Sequence, residues 1–218
     1  GDAAQEQLGD LCGKGVLDLG CGGGESTVKL AKAVGDNGVA IGVDVSADLI
    51  FLANQQRKEA GAANMALMCA DASELALGEP VDALYSRFGA MFFDKPIDAF
   101  ARIRSQMKPG GKASIICWRG FKENPWAFAP FIAAAKFLPE VAPSQPGAPG
   151  PFAWAKPDES AIPYLTKSGW KNIRTRPIDH EIVMGAGIEG DPLEAALHFA
   201  MKIGPLSSRL EKLPAAQK

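Results

Sequence analysis

The sequence is poor in the residues that build metal centres and disulfide frameworks. Its 218 residues include four cysteines, two histidines and no Cys-x-x-Cys pair. A zinc site is therefore not expected, and the widely spaced cysteines are expected to be buried, reduced thiols. The first residues also lack the basic-then-apolar layout of a secretory signal. These absences predict a cytoplasmic protein without a bound metal.

Basic clusters and long apolar runs are absent as well. The formal net charge is −2 and the pI is about 5.8, which argues against a basic field that attracts nucleic acid. No apolar run approaches the ~20 residues that cross a bilayer, so no membrane span is expected. With 47% hydrophobic residues, residues 1–218 are predicted to form a single globular domain, as a monomer or a homodimer.

Short β-branched runs alternate with helical patterns in the first half of the chain. They predict five strands, at residues 16–19, 39–45, 65–70, 82–88 and 113–118. Strands that are apolar nearly throughout and are separated by helices indicate a parallel sheet covered on both faces. The predicted fold class is α/β, a doubly wound and mostly parallel Rossmann-like sheet with helices on both faces.

The pattern changes after residue 118. An apolar helix is predicted over residues 125–138, followed by a proline-rich loop over 139–157. A sixth strand is predicted over 172–183, and Asp191 begins a further helix as its cap. The tail, 206–218, is expected to be helical or disordered.

A glycine-rich loop follows the first strand. Gly20, Gly22 and Gly24 stand where this strand passes into a helix. Glycine accepts positive φ and lets a ligand approach the backbone, and free N–H groups at a helix start favour polar ligand groups. Asp44 ends the second strand 44 − 24 = 20 residues later, where a carboxylate can accept from ribose hydroxyls. Together these features predict an adenosine-containing ligand.

Two acidic residues narrow the choice of ligand. A dinucleotide fingerprint requires glycine where this sequence has Glu25, which disfavours a nicotinamide-dependent dehydrogenase. Asp18 would repel a pyrophosphate and would suit a cation such as the ammonium of an amino acid. The predicted ligand is an adenosine that carries a zwitterionic, positively charged tail.

Five motifs in register resemble the class I S-adenosylmethionine-dependent methyltransferases, in particular the ubiquinone/menaquinone-type small-molecule branch. Their order and spacing agree over residues 16–118, and they read DLGCGGG from residue 18, GVDVS from 42, ADA from 70, DALYSRF from 82 and MKPGG from 107. The resemblance implies S-adenosyl-L-methionine as cofactor, S-adenosyl-L-homocysteine as product and a small-molecule acceptor. The chain is expected to divide into a cofactor-binding half, 1–118, and a lid and substrate-side half, 119–218.

The resemblance also implies individual roles around the methionine and ribose. Asp18 would assist the methionine amino group, and Asp44 would bind both ribose hydroxyls. Ser86 and Arg87, at the end of the fourth strand, would border the methionine and the acceptor. The loop backbone would line the methionine and ribose through Gly20, Cys21, Gly22 and Gly24.

Around the adenine, the resemblance implies apolar contacts from Val45 and Leu49. Asp71 would accept from the exocyclic amine, and the Ala72 N–H would face the ring.

Structural alternatives remain open for several of these residues. Asp18 could only stabilise a turn, and Asp71 could only cap the following segment. Val45 and Leu49 could be core residues, and Arg87 could belong to a structural ion pair.

Aromatic residues cluster after the fifth strand and predict a pocket for an aromatic or lipophilic acceptor, the alternative being a core beneath a lid. They are Trp118, Phe121, Trp126, Phe128, Phe131, Phe152 and Trp154. No catalytic residue is assigned, since His180 and His198 are isolated and Asp94 is expected to cap a helix.

A non-catalytic S-adenosylmethionine-binding module is the other functional alternative. Members of the resembled family carry more helical sequence before the first strand and a hairpin of strands six and seven. Here the first strand begins at residue 16 and nothing after residue 206 resembles a strand, so the chain is expected to be clipped at both ends.

Overall fold

The computed structural model describes residues 2–138, 148–185, 189–211 and 213. In chain order, the helices α1 to α8 of this region are Asp2–Glu6, Glu25–Val34, Ala47–Glu59, Pro96–Ser105, Pro125–Ala134, Ala161–Lys167, Pro192–Lys202 and Pro205–Leu210. Its strands β1 to β5 are Gly15–Leu19, Val39–Asp44, Met65–Cys69, Val81–Arg87 and Met107–Ile116. Part of the predicted proline-rich loop (139–147) and part of the predicted tail (212 and 214–218) lie outside the described residues.

The strands pair in parallel in the order β3-β2-β1-β4-β5. Strand β1 is paired on both sides, with Leu17 opposite Ile41 of β2 and Leu84 of β4. The carboxyl ends of parallel strands meet at one edge of the sheet, and ligands bind there where the strand order reverses. This reversal falls between β1 and β4.

Helices cover both faces of the sheet. Val16 of β1 packs in a buried cluster with Leu30 of α2, whereas its neighbour Leu17 packs in another with Phe100 of α4 and Leu165 of α6. Successive side chains of a strand point to opposite faces, so the two clusters are the two sides of one sheet. The predicted doubly wound α/β fold is confirmed.

The predicted sixth strand is wrong. Residues 172–183 are described and form no strand. Almost all of the segment is exposed, including Ile178 and Val183. Pro177 at its centre has no N–H to give to a ladder. A strand also needs a partner segment to pair with, which a local sequence pattern does not supply.

Strand β5 begins earlier than expected. The segment Lys108–Gly111, which precedes the strand predicted at residues 113–118, lies within β5. Gly110 has a φ of +79°, the positive value that a turn requires, so the local conformation agrees with the sequence. The difference is that this turn forms a bulge in a strand that is already paired.

The described residues cluster into two compact units. One contains residues 2–118 and 148–173, with the whole sheet, and the other contains residues 119–138 and the described residues from 174 onward. Segment 148–173 therefore belongs with the first half of the chain. Of the helices in the described region, none has both the length and the apolar character needed to cross a membrane.

Phe100 is expected to be a major contributor to the stability of the sheet-containing unit. Its side chain is fully buried, with the rings of Phe93 and Trp154 at centroid distances of 5.7 Å and 5.4 Å. Phe100→Ala should lower the free energy of unfolding by about 3–5 kcal/mol. The matched control Phe51→Ala removes a ring that is 63% exposed, and should change it by less than about 0.5 kcal/mol. Urea unfolding followed by tryptophan fluorescence measures both, and equal effects would contradict this account of the core.

Candidate functional site

The loop after β1 passes very close to the chain that follows β4. Gly20 has a φ of +67°, and a Cβ built on it would lie 2.8 Å from the Cα of Gly89. Its N–H donates to the carbonyl of Val43 at 2.9 Å, and the Cys21 N–H donates to the same oxygen at 3.1 Å. A side chain at position 20 would break this packing, so glycine is required for a steric reason.

The rest of the loop has one packed side and one open side. Gly24 has a φ of +88°, and its Cβ would meet that of Ala53 at 2.8 Å. At Gly22 and Gly23 an added Cβ would meet nothing within 4 Å. The backbone is therefore open to an approaching ligand at these two residues, beside the start of α2.

Asp18 is a fully buried acid directly behind this loop. Its Oδ2 accepts from the hydroxyls of Ser26 and Thr27, both at 2.7 Å. Its Oδ1 is buried and has no hydrogen-bond partner among the described residues. Burial raises the pKa of this carboxyl from 3.8 to about 6, against the lowering effect of the two hydroxyls. A buried oxygen without a partner indicates a missing donor or cation.

Asp44 ends β2 on the other side of the loop. Its Oδ2 accepts from the Gly22 N–H at 2.9 Å, and its Oδ1 accepts from the Ser46 N–H at 3.0 Å. Each carboxylate oxygen can accept a second hydrogen bond. Two backbone donors thus fix the orientation of Asp44 and leave it able to bind two hydroxyl groups.

Val45 and Leu49 present apolar surface next to Asp44. Val45 is 70% exposed and Leu49 is 38% exposed. The alternative that they are core residues is therefore wrong. Both side chains are available to a flat apolar ligand group.

The segment after β3 holds Asp71 and Ala72. Asp71 is exposed, and its Oδ1 accepts from the Ser73 N–H at 2.8 Å as the cap of a short 3-10 helix. Ala72 is buried in the core. The capping role of Asp71 is therefore real, and it occupies one of the two carboxylate oxygens.

Ser86 and Arg87 end β4 opposite the glycine loop. The hydroxyl of Ser86 is buried and donates to the carbonyl of Leu19 at 2.9 Å, which links the ends of β4 and β1. Arg87 pairs with Glu25 at 3.0 Å. The hydrogen bond from Arg87 lowers the pKa of Glu25. The ion-pair alternative for Arg87 is observed, and its partner is the residue that replaces the dinucleotide glycine.

Cys21 contributes packing and backbone hydrogen bonds. Its side chain is buried, and burial raises the pKa of the thiol to about 12. The thiol therefore stays protonated at neutral pH and is a poor nucleophile. A Cβ at Gly42 would lie 2.9 Å from its sulfur, so this side of the loop is filled.

Several residues of this site were not predicted from the sequence. Ser26 and Thr27 bind Asp18, Gly89 makes room for Gly20, and Glu25 holds Arg87. The adjacent Ser-Thr pair in the first turn of α2 was a usable signal, because hydroxyls at a helix start often bind nearby acids. The other two contacts join segments more than sixty residues apart and left no local pattern.

The remaining candidates lie outside this constellation. His180 and His198 are exposed and belong to the second unit. Asp94 does not cap α4, whose first flanking residue is Lys95. No group of three or more histidine, cysteine or acidic side chains in the described part of the chain could hold a metal ion.

Comparisons with known proteins agree with this geometry. Residues 16–111 match a family model described as a methyltransferase domain. The chain is 29% identical over 113 residues to a demethylmenaquinone methyltransferase of Lactococcus lactis subsp. lactis (strain IL1403), covering 51% of this chain and 44% of the relative. It is 30% identical over 137 residues to an aklanonic acid methyltransferase of Streptomyces sp. (strain C5), covering 60% and 62%.

A solved structure supports the same fold. The crystal structure of a SAM dependent methyltransferase from Aquifex aeolicus matches with a TM-score of 0.58 at 19% identity, covering 77% of this chain and 78% of that chain. At this identity the likeness concerns the fold alone. Residues 16–111 are thus similar to a methyltransferase domain, and the chain shares its fold with a SAM dependent methyltransferase. Its matched regions span about half the length of the curated relatives.

The titration of Asp18 predicts how stability changes with pH. Its folded pKa, about 6, exceeds the ordinary 3.8, so the folded chain holds the proton more tightly than the unfolded chain. The stabilisation of the folded state by protonated Asp18 is fully present below pH about 4, and it is lost as the pH rises through about 6. Asp18→Asn cannot ionise. Between pH about 4 and about 7, the unfolding free energy of the variant should gain up to about 3 kcal/mol relative to the wild type.

Urea unfolding of both proteins across this pH range measures the difference. Asp36→Asn, at an exposed turn before β2, is the matched control and should follow the wild type. A difference between wild type and Asp18→Asn that does not change with pH would show that Asp18 is not the titrating group.

Proposed function

We propose that this protein transfers the methyl group of S-adenosyl-L-methionine to a small aromatic or lipophilic acceptor. The observation that carries the proposal is the arrangement at the end of β1. The unpartnered Oδ1 of Asp18, the open backbone at Gly22 and Gly23, and the two-acceptor carboxylate of Asp44 converge there. An ammonium, a chain of few atoms and a pair of hydroxyls are the ligand groups that these features suit.

The residues present fit the two ends of this cofactor. Asp18 would receive the methionine ammonium at its free oxygen, which would stabilise the ionised carboxylate. Asp44 would accept both ribose hydroxyls through its remaining lone pairs. Gly20, Cys21, Gly22 and Gly24 would line the space between them with backbone.

The adenine would find apolar and polar partners at the same edge of the sheet. The exposed side chains of Val45 and Leu49 would pack against the ring. Asp71 keeps its second oxygen for the exocyclic amine, and the N–H of Ala72 would face the ring. This assignment extends the site across the ends of β2 and β3.

On the acceptor side, two rings mark the ends of β4 and β5. Phe88 and Trp118 are stacked at a centroid distance of 4.0 Å and an interplanar angle of 1°, and both are partly buried. Phe88 has a φ of +63°, a value that costs a non-glycine residue energy and occurs often at functional sites. We infer that this stacked pair forms one wall of the acceptor pocket, next to Arg87.

The seven aromatic residues of the predicted pocket divide between the two units. Trp118, Phe152 and Trp154 lie in the sheet-containing unit, and the others lie in the second unit. Trp154 is buried against Phe100, so it belongs to the core. The pocket proposal accordingly depends on Trp118 and Phe88 rather than on the whole set.

Methyl transfer here requires positioning more than acid–base chemistry. The bound cofactor supplies a methyl group on a sulfonium, whose departure leaves a neutral thioether. The site residues hold the cofactor's two ends, which fixes where the methyl group points. Holding the reacting atoms at about 3 Å in line can supply several kcal/mol, up to roughly 7–11. A general base is needed only for an acceptor that is protonated at neutral pH.

Replacing Asp44 tests the cofactor assignment. Asp44→Ala removes a charged acceptor for two hydroxyls and should weaken binding of S-adenosyl-L-homocysteine by about 1–3 kcal/mol. Asp44→Asn keeps one acceptor oxygen and should lose less. Isothermal calorimetry measures the affinities, with Asp36→Ala, at the opposite end of β2, as the matched control. Undiminished binding by a folded Asp44→Ala protein would refute the ribose assignment.

Turnover distinguishes an enzyme from a cofactor-binding module. The protein incubated with methyl-labelled S-adenosyl-L-methionine and a panel of quinols, phenols and amines should label at least one aromatic member. Trp118→Ala should reduce that labelling about tenfold or more, the loss expected when an aromatic contact that positions the acceptor is removed. S-adenosyl-L-homocysteine should bind this variant as it binds the wild type. Cofactor binding without labelling of any panel member would favour the non-catalytic module.

A further inference from the structure

A cavity lies at the opposite end of the sheet from the glycine loop. Its volume is about 140 Å³, and it lies where β4 and β5 begin. The residues that line it are chiefly Leu8, Leu11, Lys14, Asp82, Lys108 and Lys112. Strand β4 has seven residues, so the two sites are separated by about 20 Å along it. The cavity therefore takes no part in binding the cofactor.

A bulge in β5 builds one wall of this cavity. Val81 of β4 pairs with Met107 and Ala83 pairs with Lys112. Two steps along β4 thus correspond to five along β5, which leaves 5 − 2 = 3 extra residues. A Cβ at Gly111 would lie 3.0 Å or less from Met107 and from the carbonyl oxygens of Asp82 and Lys108. The bulge is therefore closely packed at Gly111, where a side chain would not fit without a shift of its neighbours.

Asp82 links this bulge to the start of β1 through hydrogen bonds. Its Oδ2 accepts from the Gly15 N–H and from the Lys108 ammonium, both at 2.9 Å. The hydrogen bond from Lys108 lowers the pKa of Asp82. The one carboxylate that lines the cavity is therefore ionised and already committed to two donors.

The cavity has more cationic than anionic groups. Lys14 donates to the carbonyl of Asp10, and Lys108 pairs with Asp82. The Lys112 ammonium has no hydrogen-bond or ion-pair partner among the described residues. Three ammonium groups and one carboxylate leave a net positive charge, which favours an anion.

The opposite wall is apolar. Leu8 and Leu11 line the cavity and are otherwise almost completely buried in the core, in one cluster with Ala4 of α1. A volume of about 140 Å³ is close to the roughly 150 Å³ of an apolar cavity that binds benzene. A ligand of about that size, with one charged end, matches both walls.

We propose that this cavity binds a small organic carboxylate, with its carboxylate on Lys112 and its apolar body against Leu8 and Leu11. The site is independent of methyl transfer and would be present whether or not the chain is an enzyme. Lys14 and Lys108 add to the positive field around the carboxylate.

Benzoate is the probe that tests this site. Titrated at constant ionic strength against ¹⁵N-labelled protein, it should shift the backbone amides of Gly110, Gly111 and Lys112 in a saturable way. Benzyl alcohol, which has the ring but no charge, and inorganic phosphate, which has charge but no apolar body, should each bind more weakly. Equal binding of benzyl alcohol would refute the role of the lysines, and equal binding of phosphate would refute the role of the leucines.

Two charge reversals complete the test. Lys112→Glu should weaken benzoate binding about tenfold or more, because a charge-assisted hydrogen bond becomes a repulsion. Lys171→Glu, at an exposed loop position of the same unit, should leave it unchanged. Lys112→Gln should give an intermediate affinity and guards against a folding defect of the reversal. Saturable benzoate binding that survives both Lys112 variants, or amide shifts confined to other regions, would overturn the proposal.

Discussion

The site depends on how closely the main chain approaches itself where β1 and β4 end. No side chain fits between Gly20 and Gly89, and a Cβ at Gly89 would lie 2.7 Å from the carbonyl oxygen of Leu19. Ser86 closes the same junction with a buried hydrogen bond to that carbonyl. The floor of the crevice is therefore bare backbone. Asp18 lies behind this floor and Asp44 beside it, each oriented by two hydrogen bonds.

The electrostatics of the crevice follow from which charges are already paired. Asp18 and Asp44 lie at the crevice, whereas the cation at its border, Arg87, is held by Glu25. The carboxyl groups of Asp18 and Asp44 also repel each other, a small addition to the effect of burial on Asp18. Such a surface is unfavourable for a pyrophosphate and favourable for a cationic tail. The fold alone does not distinguish these ligands, but the charges do.

Local features of the fold and the site could be predicted from the sequence. The glycine loop and the acid that ends β2 each follow from short-range backbone geometry. Contacts across long separations could not be predicted, because nothing local marks them. Arg87 meets Glu25 across 62 positions, and Gly20 packs against Gly89 from a similarly distant segment. The strand predicted over residues 172–183 was wrong for a related reason, because strand pairing depends on two segments and not on one.

The bulge in β5 affects whether a further strand can pair with the outer edge of the sheet. Strands at a sheet border expose backbone groups that can recruit further strands, and proline, lysine and irregular backbone all oppose this. Pro109, Lys108 and Lys112 all fall in or beside the irregular part of β5. The first half of that strand is thus a poor template for another chain. The segment that shapes a cavity therefore also disfavours edge-to-edge pairing through β5.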